Sequence, residues 1–412
     1  MKGKKDSTMK KTLVLLLMLS LVFSLSANAT TEPVKLVIAA RGGSHVDVIN
    51  AVKAEFEAEN NVTIEVLGLE NPDLKQKMVL DSRNQNGAYD IVMLDDPWMP
   101  EVTEAGILLN LSENGYMDDE DFVSTSLALG KSPYGSGDTY ALPFSGNVTL
   151  LFYNEEVLKS ADAQVPDSWQ GVLDIAKSVN GKDGKIGYVI RGQQGNPIVG
   201  DFMPVLWAYG GDIFDAEWNV LVDSQEAKDA LMLYMDLLEN GANFEKNDIV
   251  SSVAEGRAAM SLGWPSWYIV GGASTAGYAK IPGKVAPDAP EYASGVIGNW
   301  MMGVPANTQH PDLAVKLLKY LTSAETQMAA ASVGAVPTRV SVFNDAELSE
   351  KYPFYATLLN ATEASRARPR TPKWGDIENV FGIELSNAIS GIKSVDQALA
   401  DAKVAIEDIV KQ

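Results

Sequence analysis

Three apolar runs set a helix length apart constrain the start of the chain more than any other feature. Residues 34–40 read Val-Lys-Leu-Val-Ile-Ala-Ala, residues 62–67 Val-Thr-Ile-Glu-Val-Leu, and residues 89–94 Tyr-Asp-Ile-Val-Met-Leu. Each is short, β-branched and closed by turn residues, as strands are. Between the first two, Val48, Val52 and Phe56 recur at helical spacing to about Glu59. Between the second and third, Asn71-Pro72-Asp73 opens a helix with Leu74, Met78 and Val79 on one face. Strand–helix–strand–helix–strand in so little chain predicts a parallel, doubly wound sheet. Such sheets bind ligands beyond the carboxyl ends of their strands. There the loops carry Arg41, Glu70 and Asp96 with Trp98.

A second alternation follows residues 143–154, Pro-Phe-Ser-Gly-Asn-Val-Thr-Leu-Leu-Phe-Tyr-Asn. This stretch is extended and apolar, with a Ser145-Gly146 break at its entrance. It reads as the point where the chain leaves one lobe for another. Beyond it, Ser168 caps a helix to about Val179, and strands are expected over 184–191, 258–263 and 296–304. Helices are expected over 197–209, over 223–240 with Ala227, Leu231, Tyr234 and Leu238 as the stripe, and over 311–331. Residues 333–339 form a return loop, and helical segments over 346–359, 376–390 and 395–410 close the chain.

Residues 1–29 stand outside this pattern. Lys10-Lys11, an apolar run over 13–25 and Ala27-Asn28-Ala29 have the parts of a cleaved signal peptide. No cysteine follows, so no lipid anchor is expected. The full chain carries 33 Lys and Arg against 54 Asp and Glu; the first 29 residues hold five lysines and one aspartate, leaving 28 against 53, or −25. That charge disfavours nucleic acid and anionic membrane surfaces as partners. With no cysteine and two histidines there is neither a disulfide frame nor the making of a zinc or redox metal site. The remaining 383 residues suffice for two cores.

Catalytic signatures are missing. There is no Gly-x-Ser-x-Gly elbow, phosphate-binding loop or His-Glu-x-x-His. The acidic run 118–121 lacks the spacing and glycine of a calcium loop and reads as a solvated helix start. Acidic pairs are too common here for any one to point to glycoside hydrolysis. His310 reads as a surface residue, and His45 as either a solvated turn residue or a cleft contact. What stands out is Trp98, Trp264, Trp267, Trp300 and Trp374, each in a loop or at a strand end beside Gly, Pro, Asp or Asn. A sugar has an apolar C–H face and a rim of hydroxyls. Indole platforms suit the face, and Asp, Asn, Glu and Arg suit the rim. Trp207, inside an apolar run, is expected in a core.

Several short motifs in order resemble the family-1 extracellular solute-binding proteins, the maltose- and trehalose-binding class of ABC importers. They are residues 90–95, Leu142-Pro143-Phe144, Leu151-Phe152-Tyr153-Asn154, Gly210-Gly211-Asp212, Met260-Ser261-Leu262-Gly263-Trp264, Gly298-Asn299-Trp300, His310-Pro311-Asp312, residues 334–339, and Arg368-Pro369-Arg370-Thr371-Pro372. The resemblance implies an α/β, two-lobed periplasmic binding protein fold of type II, each lobe a mostly parallel sheet flanked by helices. The lobes would be 30–144 with 302–337, and 145–301 with 338–412. Three crossings would join them, near residues 144–147, 299–301 and 337–339.

Matching positions imply Asp96, Trp264, Asn299, Trp300 and Arg370 as sugar contacts, with Arg41, Glu70 and Asn147 as further candidates and Arg368 as the alternative to Arg370. The aromatic reading adds Trp98 and Trp267. The implied protein is no enzyme and needs no cofactor. It is a periplasmic monomer that holds a neutral sugar or polyol and delivers it to a membrane permease. Two other readings remain open: a receptor for an anionic metabolite clamped by Arg41, His45, Arg339, Arg368 and Arg370, and a secreted glycoside-active enzyme.

Overall fold

The computed structural model describes residues 32–270, 273–274 and 276–411. The signal peptide read over residues 1–29 lies outside them. Among the described residues, no helix is long and apolar enough to cross a membrane.

The chain builds two five-stranded sheets. The first holds β1 (Val34–Arg41), β2 (Val62–Leu69), β3 (Ile91–Asp95), β4 (Ala141–Ser145) and, from far along the chain, β10 (Trp300–Gly303), in the order β2-β1-β3-β10-β4. The second holds β5 (Leu150–Tyr153), β6 (Ile186–Ile190), β7 (Gly241–Asn243), β8 (Ala258–Gly263) and β9 (Gly277–Ala279), in the order β9-β5-β8-β6-β7. The expected strand–helix alternation is present: α1 (Ser44–Asn60) and α2 (Asn71–Asp81) connect β1, β2 and β3, and β1 pairs in parallel with both of its neighbours.

Both sheets are mostly parallel, as expected, with one reversed strand in each. β10 runs antiparallel to β3 and β4, and β5 antiparallel to β8 and β9. The cause is where these strands come from. β10 starts at Trp300 opposite Asp95, the last residue of β3; β5 starts at Leu150 opposite Gly263, the last residue of β8. Each enters its sheet from the other one, at the carboxyl end of the parallel strands, so it can only run backwards. The same geometry turns the carboxyl ends of both sheets toward the crossings.

Each sheet has its own apolar core. Ile38, Ile91, Val92 and Met93 pack with Phe56 of α1 and with Leu317 and Leu318 of α6 (Pro311–Leu321). In the second core, Tyr188, Ile190 and Met260 meet α3 (Trp169–Val179), α4 (Asn196–Ala208), α5 (Gln225–Glu239), α9 (Trp374–Ile389) and α10 (Val395–Lys411). Trp207 lies in this core as expected, and Trp169 is buried beside it.

Two helices come out shorter than their periodicity suggests. The run over 311–331 is α6 and α7 (Ala324–Ser332), separated where Ser323 leaves the helix and its hydroxyl accepts from the Thr326 N–H at 3.1 Å. That is the usual work of a serine cap. The run over 346–359 divides at Pro353 into Ala346–Lys351 and α8 (Tyr355–Ala364), because proline lacks the N–H that a continuing helix needs.

The crossings are laced together. In the first, Gly146 donates to Val336 O at 3.0 Å and Thr149 N to Val296 O at 3.0 Å. In the second, Gly298 donates to Asn147 O at 2.9 Å. A Cβ on Gly146 would lie 2.4 Å from Pro337 O, so only glycine lets the first and third crossings touch. The return crossing ends earlier than the boundary at residue 301, since Trp300 and Met301 already pair within the first sheet. A further stretch, 366–370, joins them. It runs beside the second crossing, where Arg366 N donates to Gly295 O at 3.1 Å, and Arg370 then reaches Leu129 O at 2.9 Å.

Candidate functional site

A cavity of about 620 Å³ lies where the carboxyl ends of the two sheets face each other. From the first sheet come Arg41, His45, Asp95, Trp98 and Trp300; from the second come Arg191, Trp264 and Trp267; Asn147, Gly298 and Arg368 form the crossing wall. Trp374 and Glu378, in the first turns of α9, complete it. All five tryptophans singled out in the sequence therefore line one cavity. A larger hollow of about 880 Å³ lies beyond the far ends of the second sheet's strands, among Tyr153, Lys182, Lys185 and Tyr278, and contains no tryptophan.

Of the ten sequence candidates, Arg41, Trp98, Asn147, Trp264, Trp267 and Trp300 line the cavity; Glu70, Asp96, Asn299 and Arg370 do not. Glu70 sits at the amino end of α2 and pairs with Arg41 at 2.9 Å. Asp96 is fully buried between two guanidiniums, its oxygens 2.6 Å from Arg368 Nη2 and 2.9 Å from Arg370 Nη1. Each of its oxygens is thus held by one of these guanidiniums. Arg370 Nη2 donates to Leu129 O at 2.9 Å, and Arg368 is the arginine of this pair that lines the cavity. Asn299 is likewise buried; its Oδ1 accepts from Asn147 N at 2.8 Å, which ties the first crossing to the second.

The charges shape one another. Burial raises the pKa of Asp95; Arg368, 3.3 Å away, opposes this, and Asp96 and Glu378 add to it. Burial by itself would lower the pKa of Arg368, but Asp96 and Asp95 hold it above its ordinary value. His45, left open between turn and cleft, lies half-buried in the cavity wall with its ring 5.4 Å from that of Trp300. Burial, and then Arg41, push its pKa down to about 4, so it is neutral at pH 7. Among the described residues, no His, Cys, Asp and Glu cluster could hold a metal ion.

The model of the bacterial extracellular solute-binding proteins matches residues 42–328. This chain belongs to that family. It is a binding protein and not an enzyme. The solute-binding protein is 24% identical over 397 residues to a mannitol-binding protein of Pseudomonas aeruginosa, covering 84% of this chain and 86% of the relative. It is 24% identical over 291 residues to a probable ABC transporter-binding protein of Deinococcus radiodurans, covering 66% and 68%. Its fold matches maltose-bound MalE3 of T. maritima with a TM-score of 0.79 and 23% identity, over 91% of this chain and 100% of that one. The two-lobed fold of periplasmic binding proteins is thereby shown.

Several cavity residues of this solute-binding protein escaped the sequence reading: Asp95, Glu101, Arg191, Asn196, Lys246 and Glu378. Asp95 ends β3 and Arg191 directly follows β6. The strand-end rule that singled out Arg41 and Asp96 also points to both. Glu378 has no such signal, because its place depends on how α9 docks.

Trp264 is held by what stands opposite it. A Cβ on Gly298 would lie 2.7 Å from Trp264 Cη2. Gly298→Ala should push the indole out of place and weaken ligand binding about tenfold, the low end of what overpacking costs. Titration calorimetry beside circular dichroism checks this; unchanged affinity would show that Trp264 is no platform.

Proposed function

We propose that this protein captures a sugar or polyol of one or two units between its lobes and presents the closed form to the permease of an ABC importer. The observation that carries this reading is the meeting of five tryptophans, drawn from separate segments of both lobes, around one cavity with polar groups between them. Its volume lies within the range usual for small-molecule sites. Asn147 Oδ1, buried and without a protein partner, offers an acceptor for a ligand hydroxyl. The mannitol and maltose named for two similar proteins agree with such a ligand.

In this reading the lobes divide near residues 145, 300 and 337, and the laced crossings are the hinge. Ligand closes the lobes by its extra affinity for the closed form, the hinge motion of periplasmic binding proteins. The protein is exported by way of residues 1–29 and works as a monomer in the periplasm. The anionic clamp read from sequence finds little support: Arg41 pairs with Glu70, Arg368 and Arg370 pair with Asp96, and Arg339 pairs with Asp119 and Asp121.

A thermal-shift screen of mono- and disaccharides, polyols and phosphorylated sugars tests the proposal. A true ligand at a hundred times its Kd adds about 2.7 kcal/mol to stability. A screen in which no carbohydrate or polyol raises the melting temperature, while another solute class does, would overturn it.

A further inference from the structure

Two cations of the cleft differ from the rest. Arg41 pairs with Glu70, Lys75 with Glu101 at 2.6 Å, and Arg368 with Asp95 and Asp96. Arg191 and Lys246 also line the cavity, yet among the described residues neither side chain has an ion pair or a hydrogen bond to protein. Both stand over the same indole. Arg191 Cζ is 5.0 Å and Lys246 Nζ 5.6 Å from the centre of the Trp267 ring. They reach it from different elements, Arg191 from the end of β6 and Lys246 from the start of the helix Lys246–Ala254.

Among the described residues, the anions around Arg191 form no ion pair with its side chain. Asp201 is buried beneath it, but its Oδ2 accepts from the Arg191 backbone N–H at 3.0 Å and from the Tyr234 hydroxyl at 2.8 Å. Glu378 accepts from Asn196 at 2.9 Å. Burial lowers the pKa of Arg191, and Asp201, Tyr234 and Glu378 act against it. The half-buried guanidinium thus keeps its N–H donors free of any protein acceptor among the described residues. An arginine stacked on an indole keeps its planar fork of N–H donors free at the edge, and that fork matches a carboxylate. Trp267 is therefore the seat of two cations, and the sugar faces fall to Trp98, Trp264 and Trp300, since Trp374 is buried in the second core.

We infer that the ligand is an acidic sugar, a uronic acid or an oligosaccharide ending in one, whose carboxylate docks on Arg191 and Lys246. The inference rests on the carbohydrate reading and narrows it. A carboxylate brings a single charge to two free cations. A phosphate monoester brings nearly two into a cavity also lined by Asp95, Glu101 and Glu378, and is disfavoured. The sequence expectation of a neutral ligand rested on few arginines near the early loops and many tryptophans, and passed over Arg191.

Titration calorimetry compares D-glucuronate, D-galacturonate and digalacturonate with D-glucose, D-galactose, maltose, mannitol and glucose 6-phosphate. At least one uronate should bind more tightly than its neutral counterpart. Its affinity should fall roughly ten- to hundred-fold in Arg191→Gln and by less in the more exposed Lys246→Gln, and should weaken as sodium chloride rises. Lys246→Gln keeps the test open should Arg191→Gln fail to fold. Tighter binding of neutral sugars or of the phosphate, or uronate binding unchanged in the variants, would overturn the acidic ligand and leave the carbohydrate reading standing. No binding by any member of the panel would overturn both.

Discussion

Asp96→Asn should destabilise the protein by about 3–5 kcal/mol, the usual penalty for removing one partner of a buried ion pair. Asp96 is fully buried and is the meeting point of Arg368 and Arg370. Asparagine keeps its shape but removes the negative charge, and one of its terminal atoms becomes a donor facing other donors. Asp95, 3.3 Å from Arg368, covers part of the loss on that side. Nothing comparable covers Arg370, whose remaining partners are the carbonyls of Asp96 and Leu129. The effect is therefore largest where residues 366–370 dock on the end of β3. Urea unfolding followed by tryptophan fluorescence measures it. A variant that unfolds at the wild-type urea concentration but no longer binds sugar would return Asp96 to the ligand and sink the structural assignment.

The contrast between Asp96 and its neighbours shows what the sequence could reveal. Strand and helix periodicity is local, so β1, β2, β3 and their helices were legible from residues 34–94. Fold membership was legible through short motifs in order. Which side of a strand end a residue faces is not local. Asp95 and Asp96 are adjacent and chemically identical, yet one lines the cavity and the other is sealed beneath it. Only the arrival of Arg368 and Arg370, far along the chain, separates them. Asn299 met the same fate, becoming a tie between crossings. The tryptophans were easier: a large apolar ring beside Gly, Pro or Asp at a strand end has few places to go. Even so, the sequence could not show that the face of Trp267 is taken by Arg191 and Lys246.

Trp300→Ala should weaken sugar binding by roughly 30- to 150-fold while costing less in stability than a core tryptophan would. Trp300 opens β10, paired with Asp95 on one side and Ser145 on the other, so its backbone is held by both neighbouring strands. Its ring, only half-buried, meets Trp98 edge-on at 6.3 Å and His45 at 5.4 Å. These contacts fix the indole from two sides and leave it bordering the cavity. Covering about half of an indole's 150–250 Å² at about 25 cal/mol per Å² is worth about 2–3 kcal/mol, which sets the expected loss in Kd. Trp300→Phe should recover part of it, because a smaller ring still offers a flat apolar face; a hydrogen bond from the indole N–H would not be recovered this way. Calorimetry with the carbohydrate found by the thermal screen, together with unfolding midpoints, separates lost binding from lost fold. Unchanged affinity in Trp300→Ala would remove the ring from the site. The strand on which Trp300 sits begins where the return crossing ends, so a ligand resting on it touches the hinge as well as the first lobe. On that account Trp300→Ala should also reduce ligand-driven compaction in small-angle scattering at saturating sugar, an effect that simple loss of affinity would not produce.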